Sequence, residues 1–326
     1  MGKRVLMRYP KILITSYQTA FLHRGGGELE LVELLKSLRK YGIQADIYGS
    51  ESQPLIKYDV VLHYSVVDSS IEIAREVKSA AKKLVLMPSL WWTKEPDQNL
   101  KNKVAEFFSL ADKVVFKSKS EHKNVTDYVP LDSSKVSYIR WGVDSCFEEI
   151  VDSELFSKTY KLNDYILNIG IIEERKNQLR VIHALRDSKI PLVFIGDYRN
   201  RDYYEACVKV APKHFKFLPH LQPKSDILRS AMRGCNAFIE VSLEPAGFSA
   251  IEAGLMGVPM VLSSGPWTQE HFGELVHQVD PLSVSSIKQG LTAALNTPVS
   301  PHLQRNIHNY HLLPQTIEPL VRLLQL

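Results

Sequence analysis

The sequence predicts an α/β protein built as two Rossmann-like domains, and three observations predict it. The chain has 326 residues, more than one hydrophobic core usually organises. Short apolar runs rich in β-branched residues alternate with longer amphipathic stretches, the pattern of βαβ units on a parallel sheet. The alternation breaks once, over residues 147–163, where the chain turns polar and acidic without a period, as an interdomain linker does.

In the first series, strands are expected at 11–15, 44–48, 60–63, 84–87, 113–117 and 136–139, with helices at 28–41, 70–82 and 100–110. The second series places strands at 165–170, 192–195, 215–217, 237–241 and 259–262. Residues 1–155 are therefore expected to form the first domain and 156–326 the second. Pro301, Pro314 and Pro319 punctuate the last segment, and Leu320, Val321, Leu323 and Leu324 suit a packed terminal helix, whose return to the first domain is left open. Two such domains facing each other would set the carboxyl ends of both sheets along a cleft, so functional residues are sought in the loops after strands.

Composition narrows the classes. The apolar share of 44% is that of a globular protein, and the net charge is +4. Residues 1–160 hold 23 basic against 21 acidic side chains and the remainder 17 against 15, so no basic half marks a nucleic-acid partner. Lys113, Lys117, Lys119 and Lys123 are interrupted by Glu121 and followed by Asp127, which reads as a solvated face, with a membrane-surface role as the alternative. The three cysteines, Cys146, Cys207 and Cys235, share no paired spacing and are expected as reduced thiols. Lys3, Arg4, Arg8 and Lys11 are not followed by the apolar region of a signal peptide, and no apolar run approaches a membrane span. The expectation is a cytoplasmic protein, compatible with peripheral attachment to the inner face of a membrane.

The chemistry concentrates after the strand that ends near Val241. Glu244-Pro245-Ala246-Gly247-Phe248-Ser249-Ala250-Ile251-Glu252 separates two carboxylates by seven residues, which on a helix puts both on one face. Gly247, Phe248 and Ser249 open that helix, where backbone N–H groups suit a diphosphate. Spacing alone is equally that of a turn glutamate and a solvent-facing one. The text that follows, Ala253 to Leu262, ends the helix at Gly257 and turns through Pro259 into a buried strand.

With that turn, the segment resembles the signature of the family-4 retaining glycosyltransferases, through Glu244, Gly247, Glu252, Gly257 and Pro259. Other landmarks occur in order: Gly25-Gly26-Gly27-Glu28, Trp141-Gly142-Val143-Asp144, Gly170 with Lys176-Asn177, and Phe194-Ile195-Gly196-Asp197. The glycine run alone equals a flexible turn and lacks dinucleotide spacing. The resemblance spans nearly the whole chain and implies the GT-B fold. It also implies transfer of a sugar from a nucleoside diphosphate donor with retention, no obligatory cofactor or metal, and a glycan, lipid-linked or small-molecule acceptor. Gly26, Gly27, Gly170, Gly196, Pro245, Ala246, Gly247, Phe248, Ser249 and Glu252 would line the donor. Lys176 and Arg175 would neutralise the leaving diphosphate, and Glu244 would orient the sugar or stabilise charge at its anomeric carbon. A bland reading of Lys176 and Arg175 puts them in the first turn of a helix, where cations oppose the macrodipole.

Two positions depart from the family pattern. Ile171 stands where relatives have an arginine after the strand glycine, and Pro88-Ser89 stand where many have a histidine. His63 is a substitute for that sugar contact, Trp91 and Trp92 offer a platform for a sugar ring or lipid, and Glu270 matches a family glutamate after the next strand. Each is equally a structural residue. A sugar-nucleotide epimerase and a sugar-nucleotide-binding protein without turnover remain as alternatives. An NAD-dependent oxidoreductase is disfavoured, since GxGxxG is missing and Asp46 is the one acid over 41–48. The donor base and sugar, the acceptor and the oligomeric state are left open.

Overall fold

The computed structural model describes residues 10–22, 25–66 and 70–324; the basic residues Lys3, Arg4 and Arg8 lie outside them. The chain divides into two compact units, one comprising residues up to Trp141 together with those from Leu313 onward, the other Gly142–Leu312.

The first unit runs β1 (Ile12–Thr15), α1 (Gly26–Lys40), β2 (Ala45–Ile47), β3 (Val60–Tyr64), α2 (Ile71–Ser79), β4 (Lys83–Met87), α3 (Gln98–Leu110), β5 (Lys113–Phe116), α4 (Lys119–Thr126) and β6 (Val136–Tyr138). Its six strands are parallel in the order β2-β1-β3-β4-β5-β6. Period-two alternation sends Ile12, Ile14, Leu62 and Tyr64 to one face, against Leu31, Leu34 and Leu38 of α1. Leu13, Val61, Leu84 and Leu86 go to the other, against Val104, Phe107 and Phe108 of α3. Both faces are covered, which is why these strands read as unbroken apolar runs.

The second unit continues with α5 (Leu155–Tyr160), β7 (Ile166–Ile169), α6 (Gln178–Leu185), β8 (Leu192–Ile195), α7 (Arg201–Val210), β9 (Lys216–Leu218), α8 (Asp226–Arg233), β10 (Ala237–Glu240), α9 (Phe248–Leu255), β11 (Met260–Ser263), α10 (Pro266–Phe272), β12 (His277–Val279), α11 (Val284–Asn296) and α12 (Pro301–His311). Its sheet is also parallel, ordered β12-β11-β10-β7-β8-β9. The last helix, α13 (Glu318–Leu324), belongs to the first unit, where Leu320, Val321, Leu323 and Leu324 pack with the α1 face of the sheet. All three cysteines are free. Among the described residues, no helix is long and apolar enough to cross a membrane.

Three features differ from the sequence reading. The polar stretch expected to link the domains, with a boundary at 155, lies inside the second unit. Phe147 and Phe156 there are 0% exposed. Phe156 packs on Tyr160 and Tyr165, with ring centroids at 4.6 and 5.2 Å, and its N–H donates to Ser230 Oγ at 2.9 Å. Two short helical pieces carry too few residues to display a period, so they resemble a linker. β12, with polar His277 and Gln278 before Val279, forms no apolar run and is invisible to the same reading. Finally, Lys117 leaves the solvated face expected of it. It is buried, bonds Glu30 at 3.0 Å and Ser89 at 2.8 Å, and lies 4.4 Å from the centroid of the Trp141 ring.

His63 is likewise a core residue. It is 0% exposed, stacks on Phe107 at 5.7 Å, and its Nδ1 is 2.8 Å from Thr15 Oγ1. Burial pushes its pKa from 6.5 down to about 4. The unfolded chain therefore binds a proton below pH 6.5 that the folded chain refuses until about pH 4. Stability present above pH 6.5 is lost as pH falls through that window, by about 3 kcal/mol in all. Urea midpoints taken from pH 7 to pH 5 should fall less steeply for His63→Gln than for the parent chain. Phe156→Ala should lower the unfolding free energy by about 3–5 kcal/mol in denaturant titration, the range for a large aromatic removed from a core. A position in a solvated linker would shift it by less than about 0.5 kcal/mol.

Candidate functional site

The strand order of the second sheet decides where its ligand end lies. From β7 the chain moves outward through β8 and β9, then returns to build β10, β11 and β12 on the other side. The connections thus leave the neighbours β7 and β10 in opposite directions, and open parallel sheets bind ligands outside the carboxyl ends of such a switch point. Two loops meet there, residues 170–177 and 241–247.

Backbone bonds join them. Leu243 N–H donates to the Arg175 carbonyl at 2.8 Å, and Asn177 Nδ2 donates to the carbonyls of Val241 at 3.0 Å and Pro281 at 2.8 Å. Asn177 has φ of 62°, a left-handed conformation that asparagine tolerates. It separates a 3₁₀ turn, Glu174–Lys176, from α6. Lys176 therefore sits on a turn of its own before the helix, and not in the first helical turn. Gly170 and Gly196 end β7 and β8 with φ of 145° and 155°. A Cβ at Gly196 would lie 2.1 Å from the Gly170 carbonyl oxygen, so this close approach of two strand ends requires glycine.

On this frame stand three cations and three carboxylates. Lys176 Nζ is 3.0 Å from Glu240 and 3.4 Å from Glu244. Arg175 reaches Glu244 at 2.8 Å and Glu173 at 2.9 Å, and Arg199 is 3.6 Å from Glu173. The Lys176 side chain is 17% exposed and that of Arg175 55%, so the lysine is the sheltered cation and the arginine the outer one. Burial pulls the Lys176 ammonium down, the carboxylates of Glu240 and Glu244 push it up, and the balance lies above the ordinary lysine value.

Gly247 is the N-cap of α9, with its N–H donating to Glu240 at 3.0 Å. Ser249 Oγ lies 3.2 Å from both the Ile169 carbonyl and Glu240. Ala250, Ile251, Ala253 and Gly254 are buried, leaving Phe248, Ser249 and Glu252 half-buried on the remaining face of the helix. Glu244 and Pro245 are half-buried in the preceding loop, and Ala246 is buried. The structure thus brings Arg175, Lys176, Glu244, Gly247 and Ser249 together beside Gly170. Among the described residues, no group of three or more His, Cys, Asp or Glu could hold a metal ion.

The other expected residues stand elsewhere. Glu270 is half-buried within α10, after β11, and not in a loop. In the first unit, Gly26 and Gly27 are the first residues of α1, where a Cβ at Gly27 would touch the Tyr64 hydroxyl at 3.4 Å. Glu28 accepts from the Gly25 N–H and the Tyr17 hydroxyl, closing that helix end. Trp92 belongs to the core, edge-on to Tyr128 at 5.5 Å, while Trp91 is half-buried. Glu240 and Glu173 escaped the sequence reading. A carboxylate closing the apolar run Ala237-Phe238-Ile239 is the signal by which the sequence marks Glu240.

Among curated proteins, none matches this chain by sequence. Solved structures match its fold. Alr3699/HepE of Anabaena, in complex with UDP and glucose, is 16% identical with a TM-score of 0.80, over 97% of this chain and 99% of that one. Sucrose-phosphate synthase of Thermosynechococcus elongatus is 13% identical with a TM-score of 0.80, over 96% and 98%. An α,α-trehalose-phosphate synthase of Burkholderia xenovorans, in complex with glucose-6-phosphate, is 13% identical with a TM-score of 0.66, over 97% and 98%. The fold is GT-B, and residues 152–311, almost the whole of the second unit, match the family described as glycosyl transferases group 1.

Proposed function

We propose that this protein transfers a sugar from a nucleoside diphosphate donor to an acceptor hydroxyl with retention at the anomeric carbon, using the strand-end site of its second unit. The observation that carries this reading is the sheltered Lys176 ammonium beside Glu244, joined through Glu240 to the N-terminus of α9 at the switch point of a parallel sheet. A helix N-terminus and a lysine together suit a diphosphate. The complexes of HepE with UDP and of the trehalose-phosphate synthase with glucose-6-phosphate support a uridine nucleotide as the first donor to try and a sugar or sugar phosphate as acceptor.

In this reading the bond from the anomeric carbon to the diphosphate oxygen breaks and its electron pair stays on the diphosphate. Lys176, backed by Arg175 and the positive end of α9, stabilises that charge. The acceptor oxygen bonds the anomeric carbon on the same face, and its proton passes to the departing diphosphate. Glu244 faces the sugar and steadies positive charge as it develops. Glu252, one turn further along the exposed face of α9, holds the ribose hydroxyls. Ile171 brings no charge to the loop, so the cations this loop supplies are Lys176 and Arg175.

A thermal-shift screen over nucleotide sugars should give one base-specific stabilisation, since a ligand bound by the native state alone raises its stability with saturation. With that donor, Lys176→Ala and Glu252→Ala should each weaken binding in calorimetry by about 10- to 100-fold, the cost of a lost charge-assisted contact. Glu244→Ala should lower kcat with a smaller change in donor affinity. Unchanged binding in both of the first two variants overturns the site. Conversion of donor alone into an epimer would move the protein to a different reaction, and tight binding without transfer or hydrolysis would make it a binding protein.

A further inference from the structure

Glu240 is the last residue of β10 and 3% exposed, at the end of a strand whose other residues are apolar. Four groups from three segments meet its carboxylate. Oε1 accepts from Lys176 Nζ at 3.0 Å, from the Gly247 N–H at 3.0 Å and from Ser242 Oγ at 3.3 Å, and Oε2 lies 3.2 Å from Ser249 Oγ. Taking a carboxylate out of water is costly unless every such partner is supplied, and an apolar side chain would close a strand end without that cost. The arrangement therefore does more than fill space. It holds a cation and a helix N-terminus at fixed positions relative to one another.

We infer that Glu240 is a positioning residue for glycosyl transfer, its buried carboxylate fixing the Lys176 ammonium and the N-terminus of α9 as one unit that grips the donor diphosphate. The inference rests on the donor site proposed above. Glu240 lies beneath that site and does not touch the donor; it acts through Lys176 and Gly247.

The two acidic neighbours of Lys176 have different duties. Glu244 is more exposed, is shared with Arg175 at 2.8 Å, and turns to the sugar in the proposed reaction. Glu240 is the permanent counter-ion. Beyond them, Glu173 faces Arg175 and Arg199 and not the lysine. Burial lowers the Lys176 ionisation while Glu240 and Glu244 raise it. Glu240→Gln keeps the shape and the acceptor oxygen but removes the charge, leaving burial opposed by Glu244 alone. The lysine then loses its proton at lower pH, and its hold on a diphosphate fades as pH rises.

The test measures binding of UDP, GDP and ADP to the full chain by calorimetry between pH 7 and pH 9, and follows the tightest. Ionisations of the nucleotide itself cancel in the ratio of variant to parent Kd. For Glu240→Gln that ratio should grow about tenfold across the range, the equivalent of one unit of lost lysine ionisation. For Glu240→Asp, which retains the charge, it should stay flat. Glu240→Met, of similar length, is measured in the same way should the glutamine variant not fold. A flat ratio for the charge-removing variants, or an equal rise for Glu240→Asp, overturns the inference while Lys176→Ala still weakens binding. If none of the three nucleotides binds the parent chain, or Lys176→Ala changes nothing, the donor site itself falls, and this role with it.

Discussion

A lysine withdrawn from water must be neutralised where it stands, and at the ligand end of the second sheet this requirement organises everything nearby. Lys176 needs Glu240, Glu240 needs further donors, and the nearest are the Gly247 amide and the hydroxyls of Ser242 and Ser249. One ion pair thereby connects the loop after β7, the end of β10 and the start of α9. The backbone bonds through Leu243 and Asn177 reinforce the same junction.

The first unit repeats the device with different parts. Lys117, just past the end of β5, is buried against Glu30 of α1, with Ser89 and the rings of Tyr64 and Trp141 around it. Tyr64 donates to the same Glu30 at 2.6 Å. In a parallel sheet every strand ends in the same layer, and the helices that follow begin there too. Polar side chains at those ends are therefore crowded together and must satisfy one another.

Much of this was legible in the chain. Eleven strand positions follow from apolar runs, because strands covered on both faces are mostly apolar. The glutamates at 244 and 252, the helix between them and the turn through Gly257 and Pro259 follow from local spacing. Short elements were not legible. α5 is too brief to show a period, so Phe156 reads as part of a linker although it is packed on Tyr165, and β12 has too few apolar residues to read as a strand. His63 and Trp92 look like binding residues because they lie near strand ends, but the alternation of β3 and the packing under Tyr128 turn them into the core.

The sequence by itself determined the two α/β units and the local chemistry of residues 244–252, since both depend on neighbours a few positions apart. Only the tertiary structure decided which charges meet. Lys176 and Glu240 are 64 residues apart, and Lys117 and Glu30 are 87 apart. Such pairs are set by which strands lie side by side, and strand order is a property of the folded sheet that no stretch of sequence carries.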